Sequence, residues 1–341
     1  MPKLFSPLNF GAIDLSHRIV MPGLVQLPYA RNEGRPTAGA YAQITTVGGL
    51  IIGEPSPISM QGTGHIGSGG LYDRPQVQEW RHITDAVHAR KGVIIAQLCH
   101  VGRLAHSSIN GDGPVSASDR PCRSMVWSAA GNLVPAETPR PLDQRGIDAV
   151  IGDYRQAALN AREAGFDAVE LNSADGYLPD QFLQDLTNTR TDRYGGMTEN
   201  RILFLSEVVQ ALIDVWGRER VGVRLSPCGS YNDIADSDPV ELFTAALRQL
   251  WEHDIAYVHL VRSRADGTIC GHEPFAMPQA AERFRAAFPG IMIVSGNYTR
   301  DSAVEAVESR WADAVGFGGG PVSIASASET VPVHQAMHLP P

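Results

Sequence analysis

The sequence of 341 residues lacks any long run of basic residues and any continuous apolar stretch long enough to cross a membrane. Its formal net charge is −9 and its calculated isoelectric point is near 5.6. A nucleic-acid-binding surface needs clustered Lys and Arg, and a transmembrane helix needs about 20 apolar residues. We therefore expect neither nucleic acid nor a membrane as a partner, and a small molecule as the substrate.

Cysteine is also scarce and widely spaced. The four cysteines form no CxxC pair and lie near no His-rich run; they are Cys99, Cys122, Cys228 and Cys270. Zinc sites and disulfide frameworks show characteristic close spacings that are missing here. The first residues, MPKLFSPLNF, lack the basic start and apolar core of a signal peptide. These absences predict no metal site, reduced thiols and a cytoplasmic location.

Short β-branched runs alternate with longer segments of helical period, which is typical of parallel strands that are each followed by a helix. Eight strands are predicted, over residues 17–21, 49–53, 93–98, 167–171, 220–225, 256–261, 290–294 and 313–317. Most of these runs are almost continuously apolar, as expected for strands covered on both faces. The pattern predicts one domain over residues 1–341 with an α/β fold, a (β/α)8 TIM barrel.

Two segments fall outside the regular alternation. Residues 100–145 form an extended insertion after strand 3 that is rich in Ser, Pro and Gly, and an insertion of this length predicts a functional lid. The sequence after Gly320 is an atypical C-terminal tail, residues 320–341. Two roles remain open for this tail: a loose end, or part of a homodimer.

Polar residues lie at the carboxyl ends of several predicted strands, where barrel enzymes carry their active sites. Gln97 ends the third strand, Asn172 and Asp175 follow the fourth, and Arg224 ends the fifth. An unpaired charge in an apolar strand is very costly, so Arg224 must meet an anion. That anion is either a carboxylate of the protein or an electron-rich edge of a ligand.

The seventh and eighth strands end in the glycine-rich sequences SGNYT and GFGGGP. Glycine allows backbone N–H groups to approach a phosphate closely, and these two loops are a frequent phosphate site of the barrel fold. The sequence therefore predicts that the ligand carries a phosphate.

Several longer motifs carry a family resemblance. They are QLCHVGR at residues 97–103, DGYLPDQFL at 175–183 and RTDRYGGMTENR at 190–201. With them, nearly the whole chain resembles the old yellow enzyme family of flavin-dependent ene-reductases. Enzymes of this family hold FMN at the mouth of a barrel, accept hydride from NADPH or NADH onto flavin N5, and pass it to the β-carbon of an activated alkene.

The resemblance implies roles for individual residues. Gln97 and Arg224 would bind the flavin ring, with Arg224 stabilising negative charge on reduced flavin. Tyr177 matches the tyrosine that protonates the α-carbon, which is general acid catalysis. The resemblance assigns the phosphate to four residues at the ends of the last two strands: Gly296, Asn297, Gly318 and Gly319.

The sequence departs from the family on the substrate side. The family has a His followed three residues later by Asn or His, and this pair binds the substrate's carbonyl or nitro oxygen. Asn172 and Asp175 occupy these positions here. Asn172 can donate a hydrogen bond, whereas an ionised Asp175 would repel an enolate unless it is protonated or turned away. Asp175 is alternatively a base, or binds a cationic or hydroxylated substrate.

It also departs on the flavin side. Val25 replaces a Thr or Cys that bonds the ring near O4, and Pro55 replaces a residue whose N–H reaches the ring. Gly319 stands where the family has a phosphate-binding arginine. We expect an FMN-dependent oxidoreductase that reduces an α,β-unsaturated carbonyl compound. The alternative is a non-reductive isomerase, dehydrogenase or cyclase of specialised metabolism in which Asp175 and Tyr177 transfer a proton or orient the substrate.

Overall fold

The computed structural model describes residues 2–22, 37–227, 229, 231–261, 277–296 and 298–317. Eight parallel strands hydrogen-bond in chain order and close into a barrel. The strands are β1 Ile19–Met21, β2 Leu50–Pro57, β3 Val93–Cys99, β4 Ala168–Ser173, β5 Val221–Leu225, β6 Tyr257–Val261, β7 Ile291–Ser295 and β8 Ala314–Gly316. The predicted (β/α)8 barrel and all eight strands are confirmed.

Helices surround the barrel in the described part of the chain. They are α1 Ala38–Ile44, α2 Arg74–His88, α3 Ser107–Asn110, α4 Gln144–Glu163, α5 Leu178–Leu183, α6 Thr198–Trp216, α7 Pro239–Glu252, α8 Met277–Arg285 and α9 Arg300–Glu308. Asp73 caps α2 and Asp143 caps α4, each accepting a hydrogen bond from a backbone N–H of the first turn. No helix in these ranges is long and apolar enough to cross a bilayer.

The strands divide their side chains between two apolar clusters, because successive residues of a strand point to opposite faces. Alternate residues pack outward under the helices, whereas the others share a smaller cluster with Phe10 inside the barrel. The strand residues of that inner cluster are Val20, Leu50, Ile52, Ile95, Ala168, Tyr257, Ile293 and Ala314. Two residues further along, on the same face, the residue types become polar. The barrel interior is therefore apolar towards the amino-terminal ends of the strands and polar at their carboxyl ends.

A short antiparallel ribbon, Leu8–Phe10 with Ile13–Leu15, covers the other end of the barrel. Ala12 N–H donates to the carbonyl oxygen of Glu219, just before β5, at 3.3 Å. The ring of Phe10 lies 4.6 Å from that of Tyr257, between ring centroids. The chain thus closes the amino-terminal end with apolar groups and leaves the carboxyl end for polar ones.

The insertion between β3 and α4 has structure of its own. Besides α3 it contains a two-stranded parallel pair, Val115–Ser116 with Arg140–Pro141, and an antiparallel hairpin, Met125–Trp127 with Leu133–Pro135. These short elements show that the insertion is an ordered part of the fold. Its role as a lid remains a prediction, and the tail at 320–341 lies outside the described residues.

Gly222 and Gly152 test how strongly the barrel interior is packed. A Cβ at Gly222 would lie 2.1 Å from the ring of Tyr257, on the neighbouring strand. A Cβ at Gly152, an exposed position of α4, would meet nothing within 4 Å. We expect Gly222→Ala to lower the free energy of unfolding by about 1–3 kcal/mol through overpacking. Gly152→Ala should raise it by about 0.5–1 kcal/mol through helix propensity. Urea unfolding of both variants checks this, and equal effects would contradict it.

Candidate active site

Three neighbouring strands bring the predicted ligand-binding side chains together at the carboxyl end of the barrel. Asn172 is the register partner of Arg224, and Glu170 is that of Gln97. Asn172 donates from Nδ2 to Oε1 of Gln97 at 2.9 Å, and accepts at Oδ1 from Nη1 of Arg224 at 3.3 Å. The structure thus joins Gln97, Asn172 and Arg224 in one chain of hydrogen bonds.

Arg224 meets a carboxylate of the protein, which is one of the two anions anticipated from the sequence. Nη1 donates to Oδ2 of Asp175 at 2.8 Å. Burial lowers the pKa of the guanidinium, but the charges of Asp175 and Glu170 outweigh burial and leave this pKa above its usual value. Arg224 is therefore a permanent cation. Its Nε and Nη2 make no hydrogen bond to any described residue, so the guanidinium keeps donors that can bind a ligand.

The backbone of Asp175 holds its carboxylate in this position. Asp175 has a φ of 56° and Gly176 one of 77°, both in the left-handed region that non-glycine residues avoid. The N–H of Asp175 donates to Oγ of Ser226, and its carbonyl accepts from Nδ2 of Asn232, both at 2.8 Å. Contacts from the loop after β5 thus stabilise a strained turn after β4, as happens at functional sites.

Arg103, from the insertion, supports the loop that contacts Asp175. Its side chain is 1% exposed. Nη2 donates to the carbonyl oxygens of Asn232, at 3.0 Å, and Asp233, at 2.5 Å, while Nη1 donates to that of Arg120 at 3.2 Å. The sequence motif QLCHVGR contains Arg103, but the motif alone did not reveal its partners Asn232 and Asp233, which lie 129 and 130 residues away. The insertion therefore takes part in building the site.

Tyr177 precedes α5 and is half-buried at the same mouth. Burial, followed by electrostatic contributions from Cys99 and Asp175, raises the pKa of its phenol far above the usual value, and Arg224 offsets only part of this. The phenol is therefore protonated at neutral pH. Its hydroxyl makes no hydrogen bond with the described residues, which leaves its proton available to a ligand.

Glu170 was missed as a site residue by the sequence reasoning. It is fully buried, and its carboxylate accepts from Nε2 of Gln97 at 2.7 Å, the hydroxyl of Tyr257 at 3.0 Å and Nδ1 of His259 at 3.1 Å. Burial raises its pKa, but His259, Gln97 and Arg224 together outweigh burial and lower it. A carboxylate in the predicted fourth strand, at the sequence AVEL, was the available signal.

The other predicted site residues fall partly outside the described residues. Pro55 lies opposite Gln97 in β2, after a register shift that begins at Ile52, and as a proline it offers no N–H there. Gly296 follows β7 with a φ of 107°, a conformation that favours glycine. The remaining predicted site residues lie outside the described ranges: Val25, Asn297, Gly318 and Gly319.

Comparison with protein families identifies the chain. The sequence model of the NADH:flavin oxidoreductase / NADH oxidase family matches residues 3–327. The chain belongs to this family. It is 38% identical over 332 residues to 12-oxophytodienoate reductase 7 of Oryza sativa subsp. japonica, covering 92% of this chain and 84% of that relative. It is also 38% identical over 319 residues to 12-oxophytodienoate reductase 1 of the same plant, covering 92% and 82%.

Solved structures agree with this assignment. The old yellow enzyme homologue from Zymomonas mobilis superposes with a TM-score of 0.89 at 35% identity, covering 97% of this chain and 94% of that one. Morphinone reductase superposes with a TM-score of 0.85 at 36% identity, covering 93% and 86%. The predicted resemblance is confirmed: the protein is an oxidoreductase of the old yellow enzyme type, and FMN is the cofactor of its family.

The donors at the barrel mouth fit FMN. A flavin ring presents nitrogen and oxygen acceptors along one edge, and the permanently charged Arg224 has Nε and Nη2 unengaged by described residues beside the amide of Gln97. The positive φ of Gly296 allows close approach of backbone to a phosphate. Pro55 contributes no donor, so this edge of the site relies on side chains of β3 and β5.

Asp180 in α5 makes stability depend on pH. It accepts from the N–H of Gly176 at 2.9 Å and from Nε2 of Gln184 at 2.6 Å, and burial raises its pKa from 3.8 to about 7. Between these values the unfolded chain has released this proton while the folded chain keeps it. The contribution of Asp180 to stability is therefore full below the lower value and is lost as pH rises towards 7.

We expect Asp180→Asn to remove this loss. Relative to the unchanged protein, the variant should gain free energy of unfolding as pH rises from 3.8 to about 7, by up to about 1.4 kcal/mol per pH unit, and the difference should level off above that pH. Urea unfolding at several pH values measures the difference. A difference between the two proteins that does not vary with pH would show that Asp180 titrates as an ordinary carboxyl.

Proposed function

We propose that the protein reduces the C=C bond of an α,β-unsaturated carbonyl compound, using FMN and a nicotinamide hydride donor, NADPH or NADH. The observation that carries this proposal is that Gln97, Asn172 and Arg224 form one chain of hydrogen bonds at the carboxyl end of the barrel, with the phenol of Tyr177 close enough to Arg224 to be affected by its charge. Relatives named as reductases of 12-oxophytodienoate and morphinone support reduction. A solved complex of morphinone reductase with tetrahydroNAD supports the nicotinamide donor.

When bound, FMN would supply the redox chemistry, the transfer of hydride from the nicotinamide to the alkene. Gln97 and Arg224 would hold the ring, and the charge of Arg224 favours electron density on the nearby ring edge. Gly296 would contact the phosphate together with Asn297, Gly318 and Gly319. The lost donors at Val25 and Pro55 place more of the ring binding on Gln97 and Arg224.

The chain's own groups perform the proton transfer and hold the substrate. Tyr177 keeps its proton at neutral pH and donates it to the α-carbon as general acid. Asn172 has one N–H of Nδ2 bonded to Gln97. Its second N–H is free to donate to the substrate's carbonyl oxygen. Asn172 would thus act at the carbonyl oxygen and Tyr177 at the α-carbon of the same enone.

Asp175 has a different role from its counterpart in the family. Its carboxylate is bound to Arg224, so its charge is directed at the guanidinium and only 23% of its side chain is exposed. This arrangement reduces the repulsion of an enolate that an unpaired carboxylate would cause. A non-reductive proton-transfer enzyme would also need a carboxylate beside Tyr177. Substitution of Asp175 therefore distinguishes the two functions.

The proposal extends to the location of the protein in the cell and to its partners. Cys99 and Cys122 are both free thiols, which supports a cytoplasmic location, where thiols stay reduced. A small molecule that enters the barrel mouth is the substrate class proposed. A homodimer through the tail at 320–341 remains a prediction.

The direct test is a redox titration of the purified protein. It should be yellow, NADPH or NADH should bleach the flavin under anaerobic conditions, and a small enone should restore the colour with turnover. Release of the pigment on denaturation, followed by mass measurement, identifies FMN. Flavin that no nicotinamide reduces, or a product of unchanged redox state, would rule out the proposal.

Tyr177→Phe removes the proton donor and leaves the ring in place. We expect kcat for enone reduction to fall by about a hundredfold or more, because general acid catalysis contributes factors of this size. Flavin reduction by the nicotinamide should change less than about twofold, since that half-reaction needs no acid. Stopped-flow absorbance measures both steps. Tyr231→Phe, on a tyrosine 39% exposed in the adjacent loop, is the matched control and should affect neither.

Asp175→Asn distinguishes the reductive from the non-reductive function. Under the reductive proposal it should raise the rate of enone reduction severalfold, because it removes a negative charge beside the developing enolate and leaves Arg224 unneutralised. Under the alternative it should abolish activity, since the proton-transfer group is gone. Asp214→Asn removes a carboxylate that is ion-paired with Arg155 at 2.9 Å on the surface, and serves as the control.

A further inference from the structure

A line of five buried polar side chains connects four strands at the carboxyl end of the barrel, next to the proposed flavin site. Asn172 bonds Gln97, Gln97 bonds Glu170, Glu170 bonds His259, and Nε2 of His259 lies 2.8 Å from Oγ of Ser295. Each of these side chains is at most 4% exposed. All five occupy the inward face of their strands, directly above the apolar layer of the barrel.

Glu170 at the centre of this line is costly to bury. An ionised carboxylate out of water is stabilised only when strong donors surround it, and replacing such a group by apolar residues often costs no stability. Three donors satisfy it here, from Gln97, Tyr257 and His259. Fold stability alone therefore gives no reason for a charge at this position. The orientation that the carboxylate imposes on neighbouring side chains does give one.

On one side Glu170 determines which way the amide of Gln97 points. A carboxylate only accepts hydrogen bonds, so Nε2 of Gln97 must face Glu170, and Oε1 then faces the donor Nδ2 of Asn172. The reversed amide would set oxygen against carboxylate and nitrogen against nitrogen. One N–H and one lone pair of Gln97 remain, and their directions are consequently defined for the ring.

On the other side the line ends at Ser295, the last residue of β7 and the residue before Gly296. Because Glu170 accepts from Nδ1 of His259, the imidazole ring is oriented with Nε2 at the hydroxyl of Ser295. This contact holds the end of β7 where the chain enters the turn at Gly296, which has a φ of 107°. That turn is the described part of the phosphate side.

We propose that Glu170 is a positioning residue for both halves of the flavin site: through Gln97 it orients the ring contact, and through His259 and Ser295 it positions the phosphate turn. This inference rests on the flavin binding of the proposed function and assigns a role to residues beyond those that contact the cofactor. It requires that ring binding and phosphate binding change separately when a hydrogen bond of this line is removed on one side of Glu170 or on the other.

The experiment compares FMN with riboflavin, which has the same ring and no phosphate. Apoprotein of each variant is titrated with both ligands, following the quenching of flavin fluorescence. Glu170→Gln should raise the dissociation constant of both ligands by about tenfold or more, the usual effect of losing a hydrogen bond to a charged group. Ser295→Ala should raise the dissociation constant of FMN and change that of riboflavin by less than about twofold, because it alters the phosphate side alone.

Tyr257→Phe is the matched control. It removes one hydrogen bond of Glu170 without touching Gln97 or His259, so it should lower stability while changing either affinity less than about threefold. In a Gln97→Ala background, Glu170→Gln should have less than about a twofold further effect on riboflavin, since its route to the ring is already lost. Additive effects there would overturn the ring half of the proposal.

Other outcomes are equally decisive. Equal losses for Glu170→Gln and Tyr257→Phe would mean that Glu170 acts only on stability, and would overturn the proposal. If Glu170→Gln does not fold, Glu170→Asp keeps the charge but cannot span the same partners, and unchanged affinity for both ligands would overturn it as well. Binding of neither flavin by the unchanged protein would instead refute the proposed function. Tight FMN binding without enone turnover would refute only the reduction and leave this test intact.

Discussion

The buried carboxylate of Glu170 is the constraint on which the upper half of the barrel depends. A charge that is completely shielded from water requires donors on several sides, and the barrel supplies them from β3 and β6. Meeting this requirement sets the orientation of Gln97 and His259, and through them the ends of β4 and β7. On the amino-terminal side of this layer the barrel interior is apolar, and its side chains need only fill the space. On the carboxyl side, hydrogen bonds define the directions of the polar groups.

A second charge, on Arg224, is balanced locally by Asp175. The partner is a residue with left-handed backbone conformation, held in place by Ser226 and Asn232. The ion pair directs the charge of Asp175 at the guanidinium. Its consequence is a barrel mouth in which a cation and an anion lie 2.8 Å apart.

The insertion after β3 takes part in this arrangement. Arg103 donates to the carbonyl oxygens of the loop after β5, and that loop in turn contacts the turn at Asp175. Several backbone carbonyls accept from Nη1 and Nη2 of this almost fully buried guanidinium, and burial lowers its pKa. The path from the insertion to Asp175 means that a change at Arg103 would reach the site without touching any ligand.

The sequence by itself determined the fold and the family, and it predicted a site at the carboxyl ends of the strands. Apolar runs such as VIIAQL indicate buried strands because the hydrophobic pattern is local, and the motifs at residues 97–103, 175–183 and 190–201 carried the family resemblance. Only the tertiary structure decided which charges meet. Register across the closed barrel set Asn172 beside Arg224 and Glu170 beside Gln97. Asp175, three residues beyond Asn172, turned to Arg224 through a loop whose contacts come from distant segments, and no periodicity along the chain records such contacts.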